Sequence, residues 1–331
     1  MARMTKLDRS DFLKLAASTT LAEAIAAPAP VGAQALRPVH VLSVPTDGVK
    51  SILYAQKAGL FRKRGIDADI VSTGSGAAIF AAVIGGGADV GSGSLFPVFA
   101  AYGRGLPLRI IAPASYYSSD HADSLLLVRK DSPIQTARDL NGKILGVDAV
   151  KDVYSVATQA WVDQHGGDGQ SLKPVELKPT EQLEALDTGR IDAAVFKTPF
   201  LTVALDTGKF RLLGKPLDAI APHFLLSCWV ATADYIAKNP EIVSGFVAAL
   251  TEAARYTNAH QAATVDMVAA FTGEEPVQVA RSIRSITAES VTLADLQMPL
   301  DFALKNGIVT QRFDLSGLLA ASVPIDRGPR A

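Results

Sequence analysis

Apolar and polar positions along this chain follow two periods in turn. Short β-branched runs with a period of two give way to stretches in which apolar residues recur at three- and four-residue spacing. Residues 39–44, 66–71 and 108–112, and a segment opening at Val90, read as strands. Residues 49–58, 77–84 and 95–102 read as helices, with Gly59 as the stop of the first. The same rhythm restarts after residue 130. Strands are predicted over 143–147, 175–177, 191–196 and 210–213, and helices over 154–165, 181–187 and 201–205. Strands alternating with helices through short loops predict βαβ units and mainly parallel sheets. Between the halves stand two apolar stretches, 124–128 and 224–230, expected to be the two crossings of a hinge. From Asp234 onward the pattern is helical only.

One motif occurs once in each half. Residues 82–90 read Ala-Val-Ile-Gly-Gly-Gly-Ala-Asp-Val, and residues 185–193 read Ala-Leu-Asp-Thr-Gly-Arg-Ile-Asp-Ala. Aligning Gly86 with Gly189 also aligns Asp89 with Asp192, so each copy is a helical run, a glycine stop, an Asp turn and a new strand. Ligands of open parallel sheets bind beyond the carboxyl ends of the strands. In the first half those ends offer Thr46, Asp47, Lys50, Ser75, Gly76, Ser92, Ser94 and Tyr116. In the second they offer Asp148, Asp152, Tyr154, Lys197, Thr198 and Phe200. Gly-Ser loops that lead into helices expose N–H groups and a positive dipole end, which suits an oxyanion. Lys50 and Lys197 would add full positive charge from opposite halves, and Tyr116, Tyr154 and Phe200 would stack on an apolar portion. Asp47, Asp148 and Asp152 either cap turns or meet an amine, which leaves a zwitterion or an amino-substituted heterocycle open.

Composition narrows the function class. The 331 residues are 48% hydrophobic and 20% charged, enough for two substantial cores. A net charge of −1 without a basic block argues against nucleic acid or an anionic membrane surface as partner. Cys228 is the sole cysteine, so neither an intramolecular disulfide nor a cysteine metal cluster can form. The histidines form no H-E-x-x-H, no G-x-S-x-G or P-loop is present, and the pairs Gly74/Gly76 and Gly91/Gly93 lack a third glycine. These readings call for no catalytic residue, metal or cofactor. At the N-terminus Arg3, Lys6, Arg9 and Lys14 precede a small-residue stretch and Ala33-Gln34-Ala35, which predicts a signal peptide over 1–35 cleaved after Ala35. Residues 8–14 resemble a degenerate twin-arginine signal with Ser10 in place of the second arginine. Beyond it no apolar run approaches the ~20 residues that a membrane span needs.

Two further stretches carry a family resemblance. They are Ala55-x-x-x-Gly59-Leu60-Phe61-x-x-x-Gly65-Ile66-Asp67, and Ser132-x-Ile134 followed by Asp139-Leu140-x-Gly142-Lys143-x-x-Gly146-Val147. Together they resemble the substrate-binding proteins of the alkanesulfonate/nitrate/taurine ABC importers, a group related to thiamine-pyrimidine-precursor binding proteins. The resemblance implies a type II periplasmic-binding-protein fold: two α/β lobes, a two-crossing hinge, and a C-terminal helical region packed on lobe 1. Lobe 1 is then expected over 36–125, lobe 2 over 126–224, and the completion of lobe 1 with the C-terminal helices over 225–331. The implied function is a monomeric periplasmic protein that captures a small anionic organic solute (sulfonate-, taurine- or aromatic-acid-like). It would deliver that solute to an ABC permease with its ATPase, without catalysis. Lys197-Thr198-Pro199 stands where the family often has an acidic or aromatic residue before the proline, a departure that favours an anion. The alternative is a thiamine-pyrimidine-precursor binding protein, or a biosynthetic enzyme on the same fold.

Overall fold

In the first strand, β1 (Arg37–Ser43), buried Val39, Val41 and Ser43 alternate with exposed Pro38 and His40, the signature of a half-covered sheet. The computed structural model describes residues 35–73 and 76–326. The signal peptide expected over 1–35 therefore lies outside the described residues except for Ala35, and so does Ser75. After β1 come α1 (Lys50–Lys57), β2 (Ile66–Ser72), α2 (Gly76–Ile84), β3 (Val90–Ser94), α3 (Leu95–Gly103) and β4 (Leu108–Ser118). A second set follows: β5 (Ser124–Arg129), β6 (Ile144–Val147), α4 (Val153–Gln164), β7 (Lys173–Glu176), α5 (Pro179–Asp187), β8 (Ala193–Lys197), α6 (Phe200–Asp206) and β9 (Phe210–Gly214). The chain then returns through β10 (His223–Thr232) to α7 (Ala233–Lys238), α8 (Pro240–Ala259), α9 (Val265–Thr272) and α10 (Pro276–Arg281). It ends with β11 (Ile286–Thr287), α11 (Ala294–Lys305) and α12 (Leu315–Leu318).

Two sheets result, one per lobe. The first is six-stranded in the order β11-β4-β10-β3-β1-β2, and the second is five-stranded in the order β7-β6-β8-β5-β9. Both are mixed. β1, β2 and β3 run parallel, as do β6, β7 and β8, whereas β10 and β5 are antiparallel to their neighbours. The reason is directional. The parallel strands end at the cleft between the lobes, and a strand arriving from the other lobe starts there. Ser124, at the start of β5, faces Lys197 at the end of β8, and His223, at the start of β10, faces Ser118 at the end of β4.

This corrects the expectation that 124–128 and 224–230 are the crossings themselves. Both stretches are apolar because they are inner strands covered on two faces; the crossings are the short segments just before them. A second correction concerns the C-terminal part, which contributes β11 to the edge of the first sheet through Ile286 and Thr287. Otherwise it is helical and packs on lobe 1. Phe246 of α8 stacks on Phe61 at 5.0 Å between ring centroids, and Tyr256 stacks on Tyr54 at 4.2 Å. On the opposite face Phe302 of α11 stacks on Phe96 of α3 at 5.7 Å.

The repeated Gly-x-x-Asp turn is one device used twice. Gly86 and Gly189 both take left-handed φ values, 77° and 76°, which only glycine adopts without strain. Asp89 accepts from the His40 amide at 2.9 Å while its own amide donates to the His40 carbonyl at 2.9 Å. Asp192 does the same to Ile144, at 2.8 and 2.9 Å. Each aspartate thus locks the register of the next parallel strand, β3 on β1 and β8 on β6.

Candidate ligand-binding site

A cavity of about 470 Å³ opens where the carboxyl ends of the two sheets meet. The volume falls within the range typical of small-molecule sites. Lobe 1 contributes Thr46 and Gly48 after β1, Gly76 at the start of α2, and Ser92, Gly93 and Ser94 of β3. Asp148 and Asp152 come from the loop between β6 and α4, Tyr154 from the first turn of α4, Lys197 and Thr198 from the end of β8, and Phe200 from the start of α6. The floor carries paired hydroxyls, Ser115 with Ser227 at 2.6 Å and Ser92 with Ser43 at 2.8 Å. An apolar wall is formed by Phe96, Pro97 and Ala100 of α3 with Ile308 and Val309.

Gly93 serves packing. A Cβ there would sit 2.7 Å from the Phe80 ring and 3.1 Å from the Gly76 backbone, so its absence lets α2 lie on β3. Gly91 is similar, with Ile79 2.5 Å from where its Cβ would be. The amino ends of α2 and α3 consequently reach the cavity, and no side chain caps α3 at Ser94.

At the polar end, the Lys197 ammonium is ion-paired with Asp148 and stands 4.8 Å from the centre of the Tyr154 ring. Burial works against that charge, but the Asp148 carboxylate and Tyr154 outweigh it and hold the lysine above its ordinary pKa. Asp148 also accepts from Gln182 Nε2 at 2.9 Å. Asp152 begins α4 as its N-cap, accepting the Ser155 amide at 2.7 Å. Its carboxyl is pushed up to about 7, first by burial and then by the nearby Asp148 charge. The preceding residue, Lys151, has φ 71°, the one positive value recorded for a non-glycine among the described residues. Thr198 is 2% exposed, and its Oγ1 has no hydrogen-bond partner among the described residues.

Ten of the residues singled out in the sequence lie on this wall: Thr46, Gly76, Ser92, Ser94, Asp148, Asp152, Tyr154, Lys197, Thr198 and Phe200. Three do not. Asp47 and Lys50 are buried beneath it in a network reaching across to the C-terminal part. Arg284 donates to Asp47 Oδ1 through Nε at 2.9 Å and Nη2 at 2.5 Å, and the Ser285 amide donates to Asp47 Oδ2 at 2.7 Å. Lys50 donates to Asp47 at 3.3 Å and to the Ser285 carbonyl, and burial lowers its pKa. Tyr116 points away because side chains alternate along β4, which leaves Ser115 on the cavity side. Its hydroxyl donates to the Ser290 carbonyl at 2.8 Å and to Asp295 at 3.1 Å, and its ring stacks on His223.

The sequence reading missed Asp123, Ser124 and Ser285. Asp123 sits in the first crossing, accepts from Ser124 at 3.0 Å and from Ser285, and is raised in pKa chiefly by burial. Its signal was available, since a crossing residue must pass the cleft. Ser285 and residues 307–310 come from the C-terminal part, where nothing in the pattern points at a distant cavity. Among the described residues no group of His, Cys, Asp and Glu is arranged to hold a metal ion, and no helix is long and apolar enough to cross a membrane.

This geometry can be set beside known proteins. A family model described as NMT1/THI5-like matches residues 48–264, well over half of the chain. The chain belongs to the NMT1/THI5-like family. It is 25% identical over 242 residues to a protein of Escherichia coli named as an aliphatic sulfonates-binding protein, covering 70% of this chain and 72% of that one. The fold is that of the periplasmic aliphatic sulphonate binding protein SsuA from Escherichia coli, with a TM-score of 0.70 and 20% identity over 89% of this chain and 95% of that one. The desulfurization enzyme DszB is similar as well, with a TM-score of 0.63 and 18% identity over 85% of this chain and 96% of that one. The expected two-lobed periplasmic-binding-protein architecture is therefore the one this NMT1/THI5-like protein has, with mixed in place of mainly parallel sheets.

Proposed function

We propose that this protein is the solute-binding component of an ABC importer and holds a small organic solute between its two lobes. The observation that carries the reading is the cavity itself, whose wall is drawn from both sheets and from the crossings between them. Contacts from both lobes coexist only when the lobes are together, so a solute that makes them shifts the protein toward the closed form. Thr46, Gly76, Ser92 and Ser94 would contact the solute from lobe 1, and Asp148, Asp152, Tyr154, Lys197, Thr198 and Phe200 from lobe 2. The protein would act in the periplasm as a monomer and present the closed form to a permease with its ATPase.

The relatives' names favour a sulfonate, as does the expectation of an anion. Two helix amino ends at the cavity support that reading, but Lys197 would have to leave Asp148 to join them. The enzyme on the same fold gives a second reading, in which the solute held in the cavity is converted and not released intact.

A thermal-shift screen of sulfonates, aromatic carboxylates, amines and pyrimidines, followed by chromatographic recovery of each hit, tests the proposal. One-to-one binding with the hit recovered intact is expected. Conversion of a hit into product on the protein would overturn it.

A further inference from the structure

The cavity takes one whole face of α3. In that helix Leu95, Phe96, Val98, Phe99 and Ala101 are buried, whereas Pro97, Ala100 and Gly103 are only partly so and line the cavity. Each of the three stands three residues from the next, so they form a continuous row along the helix. Their side chains shrink from proline to alanine to glycine. The row begins at Ser94, which lines the cavity together with Ser92, Ser115 and Ser227. It ends at Gly103, where the space is already taken. A Cβ there would stand 3.3 Å from Val309 Cγ1 and 3.8 Å from the Phe313 ring. From Ser94 to Gly103 the helical rise gives a row about 13 Å long. Ala100 stands between the hydroxyls and that stop.

A head group alone would leave this row uncovered, and apolar surface that stays in water adds nothing to binding. We infer that the solute is elongated: an oxygen-rich head bonded by the serine hydroxyls, and a slim apolar body, a straight chain or a flat ring system, laid along α3 toward Gly103. Ala100 is then the residue that sets how thick a body the cavity accepts, and the contact of Val309 with Gly103 sets how long. This rests on the binding-protein reading and names the shape of solute for it. The hydroxyls suit such a head because each can donate as well as accept. The pairs Ser115–Ser227 and Ser92–Ser43 therefore keep a bonding site to offer. Each further methylene buried against Pro97, Ala100 and Ile308 adds to affinity until the chain reaches the stop.

Calorimetry of the purified protein with ethane-, butane-, octane- and dodecanesulfonate, and with naphthalenesulfonate and camphorsulfonate, holds the head constant and varies the body. Affinity is expected to rise about two- to fourfold per methylene up to octanesulfonate, whose extended length matches the row, and to level off at dodecanesulfonate. Flat naphthalenesulfonate should bind roughly tenfold tighter than globular camphorsulfonate. Ala100→Leu puts a good helix former in the helix, so folding is preserved. It should cost octanesulfonate roughly tenfold while leaving ethanesulfonate within about twofold. Ile308→Ala lies outside any helix and should give the same contrast more weakly, about fivefold for octanesulfonate. Affinity independent of chain length, equal effects on short and long chains in both variants, camphorsulfonate as tight as naphthalenesulfonate, or no heat with any probe would each overturn the inference. The first three leave the binding-protein reading standing; conversion of a probe into product removes that reading instead.

Discussion

Asp152 holds two positions at once, a helix cap and a carboxyl buried near Asp148 on a cavity wall, and its protonation records the conflict. The folded protein raises its carboxyl from 3.8 to about 7, so the folded state keeps a proton that the unfolded chain releases. This one group therefore makes the ligand-free protein less stable as pH rises from about 4 to about 7. The melting temperature of the natural protein, measured relative to Asp152→Asn, should decline across that window; a difference constant with pH would contradict the assignment. Single residues were only partly legible in the sequence. Lys197 and Asp148 could be placed near the cleft from the strand ends, but their pairing depends on two loops folded side by side. Lys50 carries the same charge and opens α1 after β1, yet it turns under the wall to meet Asp47 and the Ser285 carbonyl. The Ser285 carbonyl, more than two hundred residues away along the chain, is the partner that the sequence around Lys50 could not show.

At the scale of elements, the strand-helix rhythm and the repeated Gly-x-x-Asp turn were readable because they rest on local chemistry. Gly86 and Gly189 stop helices by taking left-handed φ, and Asp89 and Asp192 follow with the same backbone bonds to a neighbouring strand. Asp89→Ala and Asp192→Ala should each cost about 1 kcal/mol in denaturant unfolding. The two costs should add to within about 0.5 kcal/mol, since the turns lie in different lobes. A double variant far from additive would show that the two turns are not independent. Gly93→Ala should cost more, about 1–3 kcal/mol, by driving α2 off β3. The direction of β5 and β10 was not legible. Their apolar runs identify buried strands, but only the path between lobes decides that they run against their neighbours.

Across the whole molecule, α10 of the C-terminal part packs against α6 of lobe 2 outside the crossings. Arg281 at the end of α10, on the lobe 1 side, bonds Asp206 at the end of α6 in lobe 2 at 3.1 Å. This pair is largely exposed, so Arg281→Ala should weaken solute affinity by only about fivefold or less, with no change in the stability of either lobe. A much larger loss would place Arg281 in contact with the solute. The segments that follow α10 and α11 supply Arg284, Ser285 and residues 307–310 to the cavity and its support, a contribution that tertiary packing creates and sequence periodicity cannot foretell. The central claim is that the lobes close on a solute and release it unchanged, and small-angle scattering of the natural protein with and without its tightest-binding solute tests it most directly. Binding should contract the molecule to the closed arrangement in which Arg281 reaches Asp206. Identical scattering with and without a solute bound in the cavity would contradict it.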